Sequence, residues 1–215
     1  MKKILLIAFT SLFAVGFTAC QSSETAQPSN SATEANQNSA AEEVMVMKNR
    51  KGLMKESSPD AANAPYDLQF LDTMIEHHQD AVNMTQPIVE KTNNAELKAF
   101  AEKIIADQNK EITQMKNWRE KWFAGKPTAM NAEMPGMMDS MMGMNTKKLQ
   151  APGGMLLDLR FLAMMTHHHQ GAITMSKEAL NKAEHAEIKK LASQIIKAQE
   201  AEIKQMQGWK TAWSQ

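Results

Sequence analysis

Two pairs of adjacent histidines are the residues in this sequence best suited to bind a metal ion. They are His77-His78 and, 91 residues later, His168-His169, with His167 immediately before the second pair. A methionine stands three residues before and six residues after each pair: Met74 and Met84 in the first block, Met165 and Met175 in the second. Imidazole nitrogen accepts Cu(II) and Zn(II), whereas neutral thioether sulfur selects Cu(I) and the similarly soft Ag(I). The pattern therefore indicates a copper site rather than a site for a hard cation.

The two histidine blocks belong to an internal duplication. A shift of 91 residues superimposes residues 67–122 on residues 158–213 without a gap, and 24 of these 56 positions are identical. Each copy contains two long amphipathic stretches with helical spacing, separated by a short polar break at 92–94 or 183–185. No stretch alternates in the way that strands do. We therefore expect an all-α fold in which two tandemly duplicated helical hairpins form a four-helix bundle.

Polar residues interrupt the apolar seam of the second helix in each hairpin. Gln108 and Glu111 stand at core positions in the first copy, and Gln199 and Glu202 recur in the second. An amide or a carboxylate is costly to bury unless it has a partner. Glu111 and Glu202 are therefore candidate metal ligands beside the histidines.

The turn of each hairpin determines which residues face one another. With Asn93 as the cap of the second helix, counting outward from the turn places His77 opposite Gln108 and Met74 opposite Glu111. Pseudo-twofold packing of the hairpins would gather both histidine pairs in one layer on the bundle axis. Helical bundles commonly hold metal ions in such layers.

Each of these residues also has an ordinary structural explanation. A histidine on an apolar helix face is usually a satisfied core residue, and methionine at helical spacing usually fills the core. Here, however, paired histidines recur in register with seam glutamine and glutamate in both copies. A core without a ligand does not need so many coordinating groups in one layer, so a metal-related role is favoured.

The segment that joins the two hairpins, residues 126–154, is rich in methionine. Its candidate ligands for a soft metal ion are Met134, Met137, Met138, Met141, Met142 and Met144. Thioethers in a flexible linker suggest acquisition or storage of copper. The alternative is that the segment packs its methionines on the bundle as apolar filling.

The N-terminus predicts export and membrane anchoring. Lys2 and Lys3 precede an apolar run at 4–17, which is shorter than a typical membrane span and ends before Cys20. The stretch 17–20 resembles a bacterial lipobox, so we expect residues 1–20 to be a lipoprotein signal peptide and Cys20 to carry the lipid. These features predict a periplasmic or surface lipoprotein of the cell envelope, attached to the membrane through its N-terminal lipid.

The rest of the chain divides into a tether and one domain. Residues 21–60 are rich in Ser, Asn, Gln, Ala and Glu and predict a disordered tether. Residues 61–125 are the first hairpin repeat, 126–154 the methionine-rich crossover, and 155–215 the second hairpin repeat. The whole sequence has 24 basic and 24 acidic residues, a balance that argues against nucleic acid as a partner.

The histidine blocks resemble a known family. Residues 70–84 and 161–175, each with a methionine, a histidine pair followed by glutamine, and a trailing methionine, are similar to the domain-of-unknown-function 305 (DUF305) family. The similarity covers about residues 65–123 and 156–214. It implies an exported protein with a ferritin-like helical fold and a role in copper binding and copper tolerance. The motif residues it implies are Met74, His77, His78, Met84, Met165, His168, His169 and Met175.

The two copies differ within this motif. Asp72 and Asp80 of the first copy become Ala163 and Gly171 in the second. We therefore expect the two sites to be inequivalent.

These features favour a non-enzymatic protein that buffers, stores or transfers copper, as Cu(I) or Cu(II), with a copper-transfer protein as a partner. Zinc and silver are compatible with the same ligands. One alternative is a ferritin-like di-metal or copper oxidase, although the sequence lacks the Glu-x-x-His pattern of di-iron bundles. A b-type haem bundle with histidine and methionine ligands and a purely structural helical module are also compatible with the helical pattern.

Overall fold

The structure, a computed structural model, describes residues 56–141, 149 and 153–214. These ranges include the short 3-10 turn Ala61–Asn63 and five α-helices. The helices are α1 (Tyr66–Lys91), α2 (Ala95–Phe123), α3 (Met137–Met141), α4 (Met155–Lys182) and α5 (Ala186–Trp213). The described ranges contain no strand, and none of their helices is long and apolar enough to cross a membrane. The all-α prediction is thus confirmed.

Several sequence-based predictions concern residues outside those ranges. They are the signal peptide at 1–20, lipid attachment at Cys20, most of the 21–60 tether, and the crossover methionines Met142 and Met144. These stay predictions.

A short polar break separates the two helices of the first hairpin. Asn94 caps α2, because its side-chain oxygen accepts a hydrogen bond from the Leu97 backbone N–H at 3.0 Å. The sequence-based choice of Asn93 as the cap is wrong by one residue. The capping oxygen must reach an N–H group two or three residues further into the helix, and Asn94 stands at that distance from Leu97.

The two hairpins, α1 with α2 and α4 with α5, pack on each other mainly through their first helices, α1 and α4. By contrast, α2 and α5 flank a groove of about 580 Å³. Two apolar clusters fill the interior. In each cluster, residues from the half of one hairpin that lies far from its turn pack against residues from the half of the other hairpin that lies near its turn. Such an exchange is expected when identical surfaces meet around a twofold axis. The predicted bundle of two duplicated hairpins is confirmed.

The first part of the crossover is held on α1 by Asp72. The buried Asp72 carboxylate accepts a 2.8 Å hydrogen bond from the Ala129 backbone N–H and a 3.2 Å bond from Arg119 Nε. The counterpart of Asp72 in the second hairpin is Ala163. The hydrogen-bond acceptor at position 72 thus holds the crossover segment where it leaves the first hairpin.

The second part of the crossover, α3, packs against α4 at Gly171. A side chain on Gly171 would overlap the Ser140 hydroxyl and the Gly136 carbonyl oxygen. The first hairpin has Asp80 at the equivalent position. Both departures from the repeat motif therefore lie where the crossover contacts one hairpin and not the other.

Candidate metal centre

The four motif histidines lie in one row across the interface of α1 and α4. The imidazole rings of His77 and His168 face each other, with centroids 3.7 Å apart and planes tilted by 37°. The ring of His78 lies 6.1 Å from that of His77, and the ring of His169 lies 6.4 Å from that of His168. All four side chains are buried. The structure therefore brings both pairs into one continuous layer.

A glutamate from the second helix of each hairpin contacts the outer histidine of each pair. Glu111 Oε2 lies 2.7 Å from His78 Nε2, and Glu202 Oε2 lies 2.9 Å from His169 Nε2. The count that set Glu111 opposite Met74 is therefore wrong by about one helical turn. Helical side chains tilt toward the N-terminus of their own helix. In an antiparallel hairpin the Glu111 side chain thus leans toward the turn while that of His78 leans away from it, and the two meet.

A serine of the crossover contacts His77. Ser140 Oγ lies 2.7 Å from His77 Nε2, 2.9 Å from the Gly136 carbonyl oxygen and 3.5 Å from the His168 carbonyl oxygen. Ser140 is fully buried, and α3 brings it to the layer by packing on Gly171. Sequence reasoning missed Ser140. The one sequence feature that points to it is Gly171, because a glycine in a helix can indicate that another segment packs closely there. It does not indicate which residue of that segment makes the contact.

The second ring nitrogen of each histidine has no hydrogen-bond partner in the part of the chain that the structure describes. These atoms are Nδ1 of His77, His78, His168 and His169, all buried. Buried polar atoms are normally paired. Burial lowers the pKa of His77 and of His168 well below the usual value, and the neighbouring histidines lower both pKa values further. The two inner rings are thus held neutral, which is the form that binds a metal ion.

The groove between α2 and α5 lies next to the histidine layer. Glu111 and Glu202 line it, with side chains 20% and 11% exposed, and each also contacts a buried histidine. Gln108 and Gln199 line the groove as well, and their buried Oε1 atoms have no hydrogen-bond partner among the described residues. A cation that enters this groove would meet amide and carboxylate groups before it reaches imidazole.

The motif methionines lie on either side of the histidine layer and are buried. Met74 and Met175 belong to one apolar cluster, and Met84 and Met165 belong to the other. Each cluster thus contains one motif methionine from each hairpin. The crossover adds two more thioethers to the first cluster, those of Met134 and Met137.

Further predicted ligands lie away from the layer. His167 is exposed on α4, and Met138 is 55% exposed on α3. Met141 is the last residue of α3, and the structure describes its backbone position only. Part of the crossover therefore packs on the bundle as apolar filling, and part faces solvent.

Comparison with known proteins shows the family of the chain. The pattern of the family described as Domain of unknown function (DUF305) matches residues 18–119 and 67–210. The chain belongs to the DUF305 family. No curated protein matches it.

Several solved structures share the fold of this DUF305 chain. CopM in the Cu(I)-bound form is 35% identical, with a TM-score of 0.57 over 68% of this chain and 96% of CopM. CopM in the Cu(II)-bound form is 36% identical, with a TM-score of 0.58 over 68% and 97%. CopM has also been solved in an Ag-bound form. A DUF305 protein from Streptomyces coelicolor is 27% identical, with a TM-score of 0.60 over 70% of this chain and 94% of that one.

The donor atoms of this DUF305 chain fit a soft or borderline cation. Among the described residues no three histidine, cysteine or acidic side chains converge as a ready-made metal site. Four unpaired imidazole nitrogens nevertheless share one layer, and methionine thioethers lie in the adjoining clusters. Imidazole with thioether is a donor set for copper or silver rather than for magnesium or calcium. Binding would require side chains in or next to the layer to adjust.

Proposed function

We propose that this chain binds copper in the cell envelope and buffers, stores or hands on the ion without catalysing a reaction. The observation that carries the proposal is the row of four buried histidines with unpaired Nδ1 atoms, between two clusters that contain methionine. The similarity to CopM, solved with Cu(I), Cu(II) and Ag, supports copper and silver as the ions. The ligands proposed are His77, His78, His168 and His169, together with the flanking thioethers of Met74, Met84, Met165 and Met175.

Cu(I) suits the interior of the layer best. A buried divalent ion carries a larger desolvation cost than a monovalent one, and the imidazole and thioether donors of the layer are uncharged. Glu111 and Glu202 supply the nearest negative charges, and both are hydrogen-bonded to histidine. We assign these two glutamates to the outer shell of the site, where they orient imidazole rings, rather than to the ligand set first expected for them.

The envelope location rests on the sequence of the N-terminus, where residues 1–20 and Cys20 lie outside the described ranges. Cys20 is the single cysteine of the chain. A mature domain with no other thiol suits an oxidising compartment, because imidazole and thioether ligands do not form disulfides. Lipid attachment at Cys20 would hold the domain at the membrane, within reach of a copper-transfer protein. Met138, the crossover methionine seen to face solvent, would then be among the first thioethers to meet an incoming ion.

The geometry does not favour the oxidase or the haem bundle. A haem ligand binds iron end-on through one ring nitrogen, whereas the rings of His77 and His168 face each other at 3.7 Å. A di-iron bundle uses carboxylates from all four helices. Here the two carboxylates bonded to the outer histidines, Glu111 and Glu202, come from α2 and α5, and each is engaged by an imidazole ring.

The experiment is a competition titration of the purified protein with Cu(I), and separately with Ag(I), against a chromophoric chelator. The protein is expected to hold either ion. A variant with Gln at all four motif histidine positions should lose affinity by more than the roughly 100-fold that removal of an outer-shell partner costs. The matched control is His167→Gln, which replaces an adjacent but exposed histidine and should bind like the parent protein. Equal binding by the parent and the four-histidine variant, with helical content preserved, would overturn the proposal.

A further inference from the structure

The hydrogen bonds of the outer histidines show which ring nitrogen carries the proton. His78 Nε2 contacts Glu111 at 2.7 Å, and His169 Nε2 contacts Glu202 at 2.9 Å. An ionised carboxylate can only accept hydrogen bonds. Nε2 must therefore be the donor in both rings. In a neutral ring the Nδ1 atom then carries the lone pair, and it is Nδ1 that is buried without a partner among the described residues.

The same conclusion holds for His77, although its partner is a hydroxyl group. A hydroxyl can donate one hydrogen bond and can also accept. Ser140 Oγ has two carbonyl oxygens within reach, that of Gly136 at 2.9 Å and that of His168 at 3.5 Å. A carbonyl oxygen only accepts, so if the single hydroxyl proton of Ser140 pointed at His77, the Oγ lone pairs would face the Gly136 carbonyl oxygen at 2.9 Å with no proton between them. The favoured direction is therefore that Ser140 donates to a carbonyl oxygen and accepts the hydrogen bond from His77 Nε2, at 2.7 Å.

Three of the four histidines are thus held in one tautomer by partners from three different segments. We propose that the metal ion binds through Nδ1 of these histidines, and that Ser140 is a positioning residue that selects the Nε2-protonated form of His77. Glu111 and Glu202 have the equivalent task for His78 and His169. The inference rests on the proposed metal-binding function and specifies which atoms of the site perform it.

The physical basis is the link between the two ring nitrogens of imidazole. A hydrogen bond accepted from one nitrogen fixes the proton there, orients the ring and makes the other nitrogen a better donor of its lone pair. Without Ser140, the Nε2–H of His77 would lose its 2.7 Å partner and keep only the backbone of His168, and the proton could move to Nδ1. Nδ1 could then no longer bind a cation. Loss of such an outer-shell partner typically costs about 10- to 100-fold in metal affinity.

Through Ser140, the crossover contributes directly to the metal site. Ser140 stands on α3, which packs on α4 of the second hairpin, yet it contacts a histidine of the first hairpin. Its hydroxyl is therefore correctly placed only when both hairpins and the crossover are assembled. The ring of His77 would then become competent for binding as a product of folding.

The test is a long-range proton–nitrogen NMR correlation on the purified, ¹⁵N-labelled protein, which distinguishes the two neutral tautomers of each histidine. Before any metal is added, His77, His78 and His169 should show a protonated Nε2 and a bare Nδ1. Addition of Ag(I) should then shift the Nδ1 resonances and split them through coupling to the silver nucleus. Ser140→Ala should give His77 a mixture of tautomers, leave those of His78 and His169 unchanged, and weaken Ag(I) binding by about tenfold or more.

Two further variants keep the test decisive. Ser193→Ala removes an exposed serine hydroxyl on α5 and should change neither tautomers nor affinity. If Ser140→Ala unfolds the protein, Glu111→Gln serves the same purpose. The glutamine amide can accept a hydrogen bond from His78 Nε2 or donate one to it, so His78 should show a mixture of both tautomers. Silver bound through Nε2, or Nδ1-protonated rings in the metal-free protein, would overturn the inference while leaving metal binding intact. Nε2-protonated rings with no uptake of Ag(I) or Cu(I) would instead overturn the proposed function, and with it the assignment of Nδ1 as ligand.

Discussion

The two hairpins derive from one repeated sequence, yet they differ most where the crossover contacts them. In each hairpin a glutamate of the second helix contacts the outer histidine at Nε2, and this arrangement is the same on both sides. The first hairpin holds the start of the crossover at Asp72, and the second receives α3 at Gly171. At the equivalent positions, 163 and 80, stand an alanine and an aspartate.

This difference shows how a tandem duplication departs from twofold symmetry. Two identical hairpins can pack symmetrically, but a single chain provides only one connection between them. Residues in the shared layer meet equivalent neighbours and keep the same types, such as the histidine pairs and their glutamates. Residues that touch the connection meet unlike neighbours, and their types diverge. The site is therefore symmetric in its histidines and asymmetric in what covers them.

The largest expected effect comes from filling the contact between the crossover and the second hairpin. In Gly171→Ala the added methyl group would overlap the Ser140 hydroxyl and the Gly136 carbonyl oxygen, so α3 must move away. We expect the free energy of unfolding to fall by about 2 kcal/mol, within the usual range for an overpacked core. Urea unfolding, followed by circular dichroism, measures it.

The control for this substitution is another helical glycine in the same hairpin. Gly208 stands in α5 with open space around its Cα. Gly208→Ala should raise the free energy of unfolding by about 0.5–1 kcal/mol, because alanine loses less conformational freedom in a helix. If both substitutions stabilise the protein, then α3 does not pack on Gly171 as described.

The second-largest expected effect is a difference in stability between variants of two aspartates that occupy the same position of the repeat. Asp67 accepts hydrogen bonds from the backbone N–H groups of Glu184 and His185 and contacts His185 Nδ1. Asp158 has a buried Oδ1 without a partner among the described residues, and burial raises its pKa although a hydrogen bond with Thr92 acts in the opposite direction. The Asp67 carboxylate thus accepts several hydrogen bonds, whereas burial disfavours the ionised form of Asp158.

Substitution of each aspartate by asparagine should therefore give unequal results. Asp67→Asn removes a charge that accepts several hydrogen bonds and should lower the free energy of unfolding by about 1.5 kcal/mol. Asp158→Asn removes a charge that burial disfavours and should change stability by less than about 0.5 kcal/mol, or increase it. Parallel thermal unfolding at neutral pH compares the two. Equal losses would mean that the two hairpin turns have equivalent environments.

The sequence predicted the parts of this structure that depend on periodicity and repetition. The shift of 91 residues, together with helical spacing, sufficed for two hairpins and a shared layer containing His77 and His168. It did not suffice for the contact of Glu111 with His78, because the direction of helical side chains moves that contact by a turn. Ser140 could not be predicted at all, since its position depends on how an irregular segment packs. Local patterns specify helices, whereas contacts made by a crossover depend on the assembled fold.

The smallest expected effect concerns the two glutamates that contact histidine. Lys103 lies 3.0 Å from Glu202, and the residue equivalent to Lys103 in the second hairpin is Gln194, which lines the same groove as Glu111. Burial acts to raise the pKa of Glu202, but hydrogen bonds and charge interactions with His169 and Lys103 outweigh it, so that this pKa lies below its usual value. The lysine thus distinguishes the second glutamate from the first.

Lys103→Gln removes this distinction by giving both hairpins the same residue. The pKa of Glu202 should rise toward its usual value, while stability should fall by no more than about 0.5 kcal/mol, because Lys103 is 59% exposed and surface ion pairs contribute little. A carbon-13 NMR titration of the glutamate carboxyl groups measures the pKa. Lys110→Gln, which removes the same charge from the wall of the groove, is the control and should move that pKa less. If Lys103→Gln leaves the pKa of Glu202 unchanged, then His169 alone lowers it, and the two glutamate–histidine pairs are more alike than their neighbours indicate.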